Sequence, residues 1–487
     1  MGCNAAAMAS AAPTSAPAPV VPLAADFPPP DRAAWLALVE RTLKGAPLSS
    51  LTRRTLEGLP IEALYDAAPA ATSPATAAPG WEARTLVANP DPAGANDEAL
   101  TELAQGAQAL LLRLDPSGER GIAVGSADDL ARVLDGVMLD VAPVGLDAGF
   151  LGAKAADWLA AAAKGAPAAQ LSFHLDPLTA LAEAGASPGP IEAHLISSAT
   201  VAARVAEPYP KASLFLASGR VAHEAGAGEA AELALAMAAA LAYAKALVRA
   251  GLSMDEAFDR ISLGLAVDAD YFVSIAKLRA ARALWARLGE ACGVATPARI
   301  EARSSGRMLT AADPWTNMVR LTAAAFAGAV GGADTVVLGA FTDALGPPTA
   351  FARRQSRNVQ LVLQEEANLG RVIDPAAGSG LLETLSEALA RAAWSGFQAI
   401  EAAGGIVRAL ESGHVAETVG RSRAALSARI ADRSARLLGV TDFPITDGRE
   451  AEVARHSPRR ADAPSPRLPG PDSRCPPLEP IRLETLA

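Results

Sequence analysis

Short apolar runs alternate with long Ala- and Leu-rich stretches through most of this chain, and that beat constrains the fold more than any other feature. The runs cover residues 110–114, 137–141, 171–175, 213–217, 261–267, 299–303, 335–338 and 370–373. Each has the length of a strand, and the stretches between them suit helices. Continuous apolar strands separated by helices imply a parallel sheet covered on both faces. Eight such units imply an α/β fold of the (β/α)8 TIM-barrel type, with its working face at the C-terminal ends of the strands. Periodicity alone leaves an open doubly wound sheet as the alternative.

A chain of 487 residues exceeds one ordinary core unless that core is a barrel. Apolar residues make up 51% but aromatics only 4%. The remainder is largely Ala, whose small side chain packs only where backbones approach closely, so tightly packed helices are expected. The net charge of −10 argues against nucleic acid or an anionic membrane as partner, since both need clustered Lys and Arg. Cys3, Cys292 and Cys475 have neither disulfide nor metal-ligand spacing, which suits a reducing cytoplasm. His174, His194, His223, His414 and His456 are equally dispersed, and neither HExxH nor CxxC occurs. The start, MGCNAAAMASAAPTSAPAPVVPLAA, lacks the basic end and apolar core of a secretory signal, and Met8 is a second candidate start. The most apolar long run, 230–248, contains Glu232 and Lys245 and reads as a buried helix rather than a membrane span.

Residues 1–30 read as a disordered Ala/Pro-rich tail and 31–66 as an N-terminal helical arm. In the arm, Asp31 is placed to N-cap a helix whose Trp35, Leu36, Val39 and Leu43 share one stripe, and Gly45 ends it. Residues 67–79 form a linker, 80–380 the barrel, and 381–443 a C-terminal helical extension, with helices at 381–403, 406–410 and 416–438. Residues 444–487 read as a Pro-rich linker or tail.

Within this frame lie longer blocks. SSGRMLTAADPWTNMVR, DALGPPT, RNVQLVLQEE and DPAAGS follow one another between Arg303 and Glu383. From Glu224 to Leu288 the chain carries an EAGA turn, an AGLSMDEA connection and the segment YFVSIAKLRAARALWA. Together with PGWEARTL and ALLLRLD, these blocks resemble the substrate barrel of the methylmalonyl-CoA mutase family over roughly residues 30–440. The resemblance is greatest to that family's small, non-catalytic subunit.

Active members of the family interconvert methylmalonyl-CoA and succinyl-CoA through adenosylcobalamin-derived radicals. They use polar side chains and a histidine on the thioester, a tyrosine near the cobalamin, and a separate domain whose D-x-H-x-x-G histidine ligates cobalt. This chain departs from that pattern. It has no D-x-H-x-x-G and stops where such a domain would begin. The family's R-Q-Y-A-G-F stands here as Arg84-Thr85-Leu86-Val87-Ala88-Asn89. S-G-Y-H becomes Ser218-Gly219-Arg220-Val221, and S-L-H-T-N becomes Thr335-Val336-Val337-Leu338-Gly339. A radical intermediate needs tight orientation, which Val and Leu do not supply.

The resemblance therefore implies no catalytic residue in this chain, with Arg220 and Val221 at the Tyr and His positions, and no cofactor- or metal-binding residue. It implies a heterodimer with a catalytic large subunit that carries the adenosylcobalamin, the arm contacting that partner. The apolar replacements lead us to expect a barrel closed by hydrocarbon. Two rival readings remain: a substrate barrel of a split adenosylcobalamin-dependent mutase, and an acyl-CoA binding or regulatory module.

Among individual residues, His223 beside Glu224 is the candidate general acid or base, against a bracing role at the turn near Gly226. Glu365 and Glu366 point ~100° apart on a helix and do not converge on one substrate. Arg303, Arg307, Arg353, Arg354 and Arg357 are candidate CoA-phosphate ligands, against salt bridges within the chain or at an interface. Gly331-Gly332 and the turn 374–379, with Gly378, lack any nucleotide-binding spacing.

Overall fold

The computed structural model describes residues 31–66, 79–445, 448–462 and 474–487. The expected tail at 1–30 and almost all of the linker at 67–79 lie outside these residues. The chain divides into two units, residues 1–52 and 53–487.

In the first unit, Asp31 accepts a hydrogen bond from the Ala33 amide and caps a helix over Arg32–Leu43. Lys44 in the left-handed region and Gly45 at φ +96° turn the chain out of it. No residue of this helix is buried, and Leu38 is 54% exposed.

The second unit is a closed barrel of eight parallel strands: β1 (Glu82–Val87), β2 (Ala109–Arg113), β3 (Val144–Asp147), β4 (Leu171–Leu175), β5 (Ser213–Ser218), β6 (Ile261–Val267), β7 (Ile300–Ser304) and β8 (Thr335–Val337). Strand β8 pairs with both β7 and β1, which closes the ring. The count of eight agrees with the sequence beat, but the frame differs at three places. The first strand, β1, is not among the apolar runs, because its Glu82 and Arg84 put charge where the pattern calls for hydrocarbon. Residues 137–141 form a turn with Met138 and Val141 67% and 69% exposed, and the strand lies instead at Val144–Asp147. Residues 370–373 are the end of a 3-10 turn and the bend after it, with Val372 60% exposed, so no strand follows β8 there.

Around the barrel run α1 (Pro92–Ala104), α2 (Ala127–Val133), α3 (Gly152–Ala162), α4 (Ile191–Ala206), α5 (Glu229–Arg249), α6 (Tyr271–Cys292), α7 (Asn317–Val330) and α8 (Ala350–Leu361). Helix α5 is long and apolar enough to cross a membrane by length and composition, yet 14 of its 21 residues are buried in the protein. It lies between β5 and β6 on one side and the helix Gly380–Ala402 on the other. Its alanines make that sandwich possible: a Cβ on Gly396 of the outer helix would sit 3.0 Å from the Ala234 methyl. Close helix approach is thus how an Ala-rich chain with few aromatics still fills its core.

Helices Ile406–Glu411 and His414–Ala431 complete the C-terminal extension. Beyond them the described parts of 444–487 pack onto the barrel. The Ala461 amide donates to the Pro116 carbonyl, Cys475 to Gly185, Leu478 to Ala182, Ile481 to Glu224 and Leu483 to Arg307. The acceptors lie in the loops and short helices that follow β2, β4, β5 and β7, so these residues cross the C-terminal mouth. The hairpin Arg53–Arg54 with Pro60–Ile61 is also tied to the barrel unit, through Arg53 to Asp270 and Glu57 to the Ala230 amide.

Candidate functional site: the barrel axis and its C-terminal mouth

Strand register decides which side chains enter the barrel. Glu82 and Glu301 both pair with Thr335, and Arg84 and Arg303 both pair with Val337, so all six share the inner face. Through β2, Arg113 pairs with Asp147 on the same face. The interior is therefore charged. Arg84 meets Glu301 at 2.9 Å and Glu82 at 2.7 Å, and its Nη2 also donates to Ser172. Arg303 meets Glu301 at 2.7 Å and Asp147 at 2.9 Å, and Asp147 also takes Arg113 at 3.2 Å. Room for this lattice comes from small residues: a Cβ at Gly145 would stand 2.8 Å from Arg84 Nη1.

The electrostatics follow from burial opposed by pairing. Burial disfavours the Glu301 carboxylate, but Arg303, His174 and Arg84 outweigh it and hold its pKa at about 2. Desolvation opposes the charge of the part-buried Asp147 as well, but Arg113, Arg303 and Arg220 prevail and lower its pKa. His174, left-handed at φ +46°, is pushed down to about 4 by burial, against Glu301 and with Arg84 and Arg303 adding to the fall. The imidazole is thus neutral inside a lattice of fixed charge. The expected hydrocarbon plug is corrected here: Val337 does point inward, but Val336 faces the outer helix at Gly328, and the filling is ionic.

A second buried cluster sits at the turn after β5. His223 is fully buried, its Nε2 at 3.0 Å from Ser305 Oγ and its Nδ1 at 3.2 Å from Glu232. Burial, Arg307 and Lys277 oppose protonation of His223, but Glu232 and Glu229 prevail and raise its pKa. His223, Glu229 and Glu232 offer ligand atoms within 4.8 Å of one another, a spacing that suits a metal ion. The Lys277 ammonium already joins them, bonded to Glu229 and lying 2.6 Å from Glu232. That geometry braces the turn between β5 and α5. Glu224, its neighbour, accepts from the Gly306 and Arg307 amides.

The remaining candidates separate. Arg303 is in the axis, and Arg307 binds the His223 and Ala227 carbonyls with Glu229 and Asp268 nearby. Arg353 pairs with Glu98 and Glu102, Arg357 with Glu102 and Gln105, while Arg354 is exposed. Four of the five are therefore engaged within the chain. Glu365 and Glu366 are exposed at the end of a π-helical turn. Gly332 and Gly378 take positive φ in tight turns. Sequence alone does not point to Asp147 or His174, although charges two apart in Glu82–Arg84 and Glu301–Arg303 mark an inward polar face.

Above the axis a cavity of about 1020 Å³ opens at the C-terminal mouth, lined by Arg113, Asp147, Arg220 and Val221 from the strand ends and by Arg460 and Leu478 from the C-terminal segment. Arg220 and Val221 thus stand at the mouth, where the resemblance places a tyrosine and a histidine.

Fold and site together define a (β/α)8 barrel protein whose axis is occupied by its own ion pairs. Residues 51–464 match the family profile described as methylmalonyl-CoA mutase, and the chain belongs to that family. It is 39% identical over 459 residues to the methylmalonyl-CoA mutase small subunit of Streptomyces virginiae, covering 88% of this chain and 73% of that one. It is 42% identical over 380 residues to the probable small subunit of Mycobacterium tuberculosis H37Rv, covering 75% and 59%. To the large subunit of Streptomyces virginiae it is 31% identical over 346 residues, covering 69% and 47%. The chain thus spans 59–73% of the length of these two small-subunit relatives.

Proposed function

We propose that this chain is the small, non-catalytic subunit of a cytoplasmic methylmalonyl-CoA mutase complex, and that a large subunit carries out the isomerisation of methylmalonyl-CoA and succinyl-CoA. The observation that carries this reading is the axial lattice of Arg84, Glu301, Arg303 and Asp147, which fills the barrel with fixed, mutually neutralising charge. A thioester threaded along that axis would have to separate buried ion pairs, at a cost of several kcal/mol for each stranded charge, on the order of 3–5 kcal/mol.

The residues present do not fit adenosylcobalamin. Arg220 and Val221 stand at the family's Tyr and His positions, and described parts of the C-terminal segment cross the mouth. The cofactor therefore belongs to the partner in this reading. The exposed helix Arg32–Leu43, with Leu38 outward, supports the arm as a contact for that partner.

Co-expression with a catalytic mutase chain carrying D-x-H-x-x-G tests the proposal. A stable heterodimer whose activity needs only the partner's active site is expected. Turnover of succinyl-CoA by this chain alone, supplied with a free corrinoid-carrying domain, would overturn it.

A further inference from the structure

The cavity at the mouth is lined by five cations and five acids, and its unpaired charge is mostly positive. Of the cations, Arg113 and Arg120 are paired, while among the described residues Lys154, Arg220 and Arg460 have no ion-pair partner within 4.0 Å. Arg220 Nε is buried without any hydrogen-bond partner. The acids are mostly spent. Asp147 holds Arg113 and Arg303, Glu183 holds Arg120, Glu224 accepts the Gly306 and Arg307 amides, and Asp115 accepts from Ser117 and Arg120. Only Glu119, exposed at the rim, is without such a role.

Apolar surface completes the cavity: Phe150, Leu151, Trp158, Val221, Leu478 and Pro480. Few polar groups converging in a largely preformed hollow of this size are the features of a small-molecule site. Arg220 is part-buried and makes no direct ion pair, so an arriving anion could bond to its guanidinium directly.

We propose that this cavity binds a small organic anion, with a carboxylate or phosphate head on Arg220 and an apolar body against Trp158 and Phe150. The site is independent of the subunit role, since it uses neither the arm nor a partner. Burial and the neighbouring Arg303 press the proton affinity of Arg220 downward, against Glu224 and Asp147, so an anion there stabilises the charged guanidinium. The cations that face Arg220 from other elements, Arg113 on β2 and Arg303 on β7, add to the same field.

Calorimetric titration of the full chain with phenyl phosphate, phenylsuccinate and neutral benzyl alcohol tests this. Binding of either anion at one site, at least ~10-fold tighter than benzyl alcohol, is expected. The phosphate arm alone responding assigns a phosphate ester, the carboxylate arm alone a carboxylate. Arg220→Gln should weaken the anion ~10-fold or more, while the exposed Arg354→Gln leaves it unchanged. If Arg220→Gln does not fold, the exposed Lys154→Gln should still weaken it on the order of 3-fold. The proposal is overturned if neither anion binds below ~10 mM, if benzyl alcohol binds equally well, or if the folded cavity variants bind like the parent.

Discussion

Arg84 and Glu301 lie 217 residues apart in sequence and meet at 2.9 Å inside the barrel, each only 3–4% exposed. Their strands are not neighbours; β8 runs between them. The pair therefore ties the two sides of the closing seam through the interior. Removing one partner strands a buried charge, so Glu301→Gln, which leaves both Arg84 and Arg303 short of a carboxylate, should destabilise by ~3–5 kcal/mol. Denaturant unfolding measures this, and a loss under ~1 kcal/mol would show that the lattice is dispensable.

Acid should unfold the protein in two stages. The folded pKa of His174 is about 4 against 6.5, and that of Glu301 about 2 against 4.5. Both are lower than in the unfolded chain, so the unfolded chain binds more protons and stability falls as pH drops. His174 contributes the loss from pH 6.5 to 4, and Glu301 the loss from 4.5 to 2. Thermal melts across this range should show His174→Asn flattening the upper stage only, since Asn tolerates the left-handed backbone.

Asp176 behaves oppositely. Burial lifts its pKa to about 7, against hydrogen bonds from Thr179 and Tyr243, whose hydroxyl lies at 2.5 Å. The folded state then holds a proton that the unfolded state has released, and stability falls as pH rises from 3.8 to 7. Asp176→Asn keeps the cap of the helix Pro177–Ala184 without the charge. Its melting temperature should exceed the parent's at pH 8 by more than at pH 4.

Lys277→Ala should unmask a metal site. With the ammonium gone, Glu229 and Glu232 face each other beside His223, and the variant should lose ~3–5 kcal/mol. Zinc supplies two positive charges to an imidazole and two carboxylates. Added zinc should therefore raise the variant's melting temperature and leave the parent's unchanged. Equal response of the two would show that the trio is not the ligand set.

Much of the barrel is legible in the sequence because β5 and β6, every residue of them buried, read as continuous apolar runs. Strand β1 escapes that reading because its inward face carries Glu82 and Arg84, and the burial of Arg84 makes sense only beside Glu301 on a distant strand. Residues 137–141 mislead for the converse reason: they are mostly apolar yet bury only Leu139, and nothing local distinguishes them from the true β3. The site is half legible. The replaced positions at Arg220 and Val221 are visible in the motif, but that salt bridges fill the axis depends on register, which spacing does not reveal.

The described parts of the C-terminal segment dock on the loops and short helices that follow four different strands. Their landing surface therefore exists only after the ring has closed from β1 to β8. Contacts made that late are expected to be absent from the folding transition state. Damage near Leu478 or Ile481 should leave the rate of folding alone and shorten the lifetime of the finished protein.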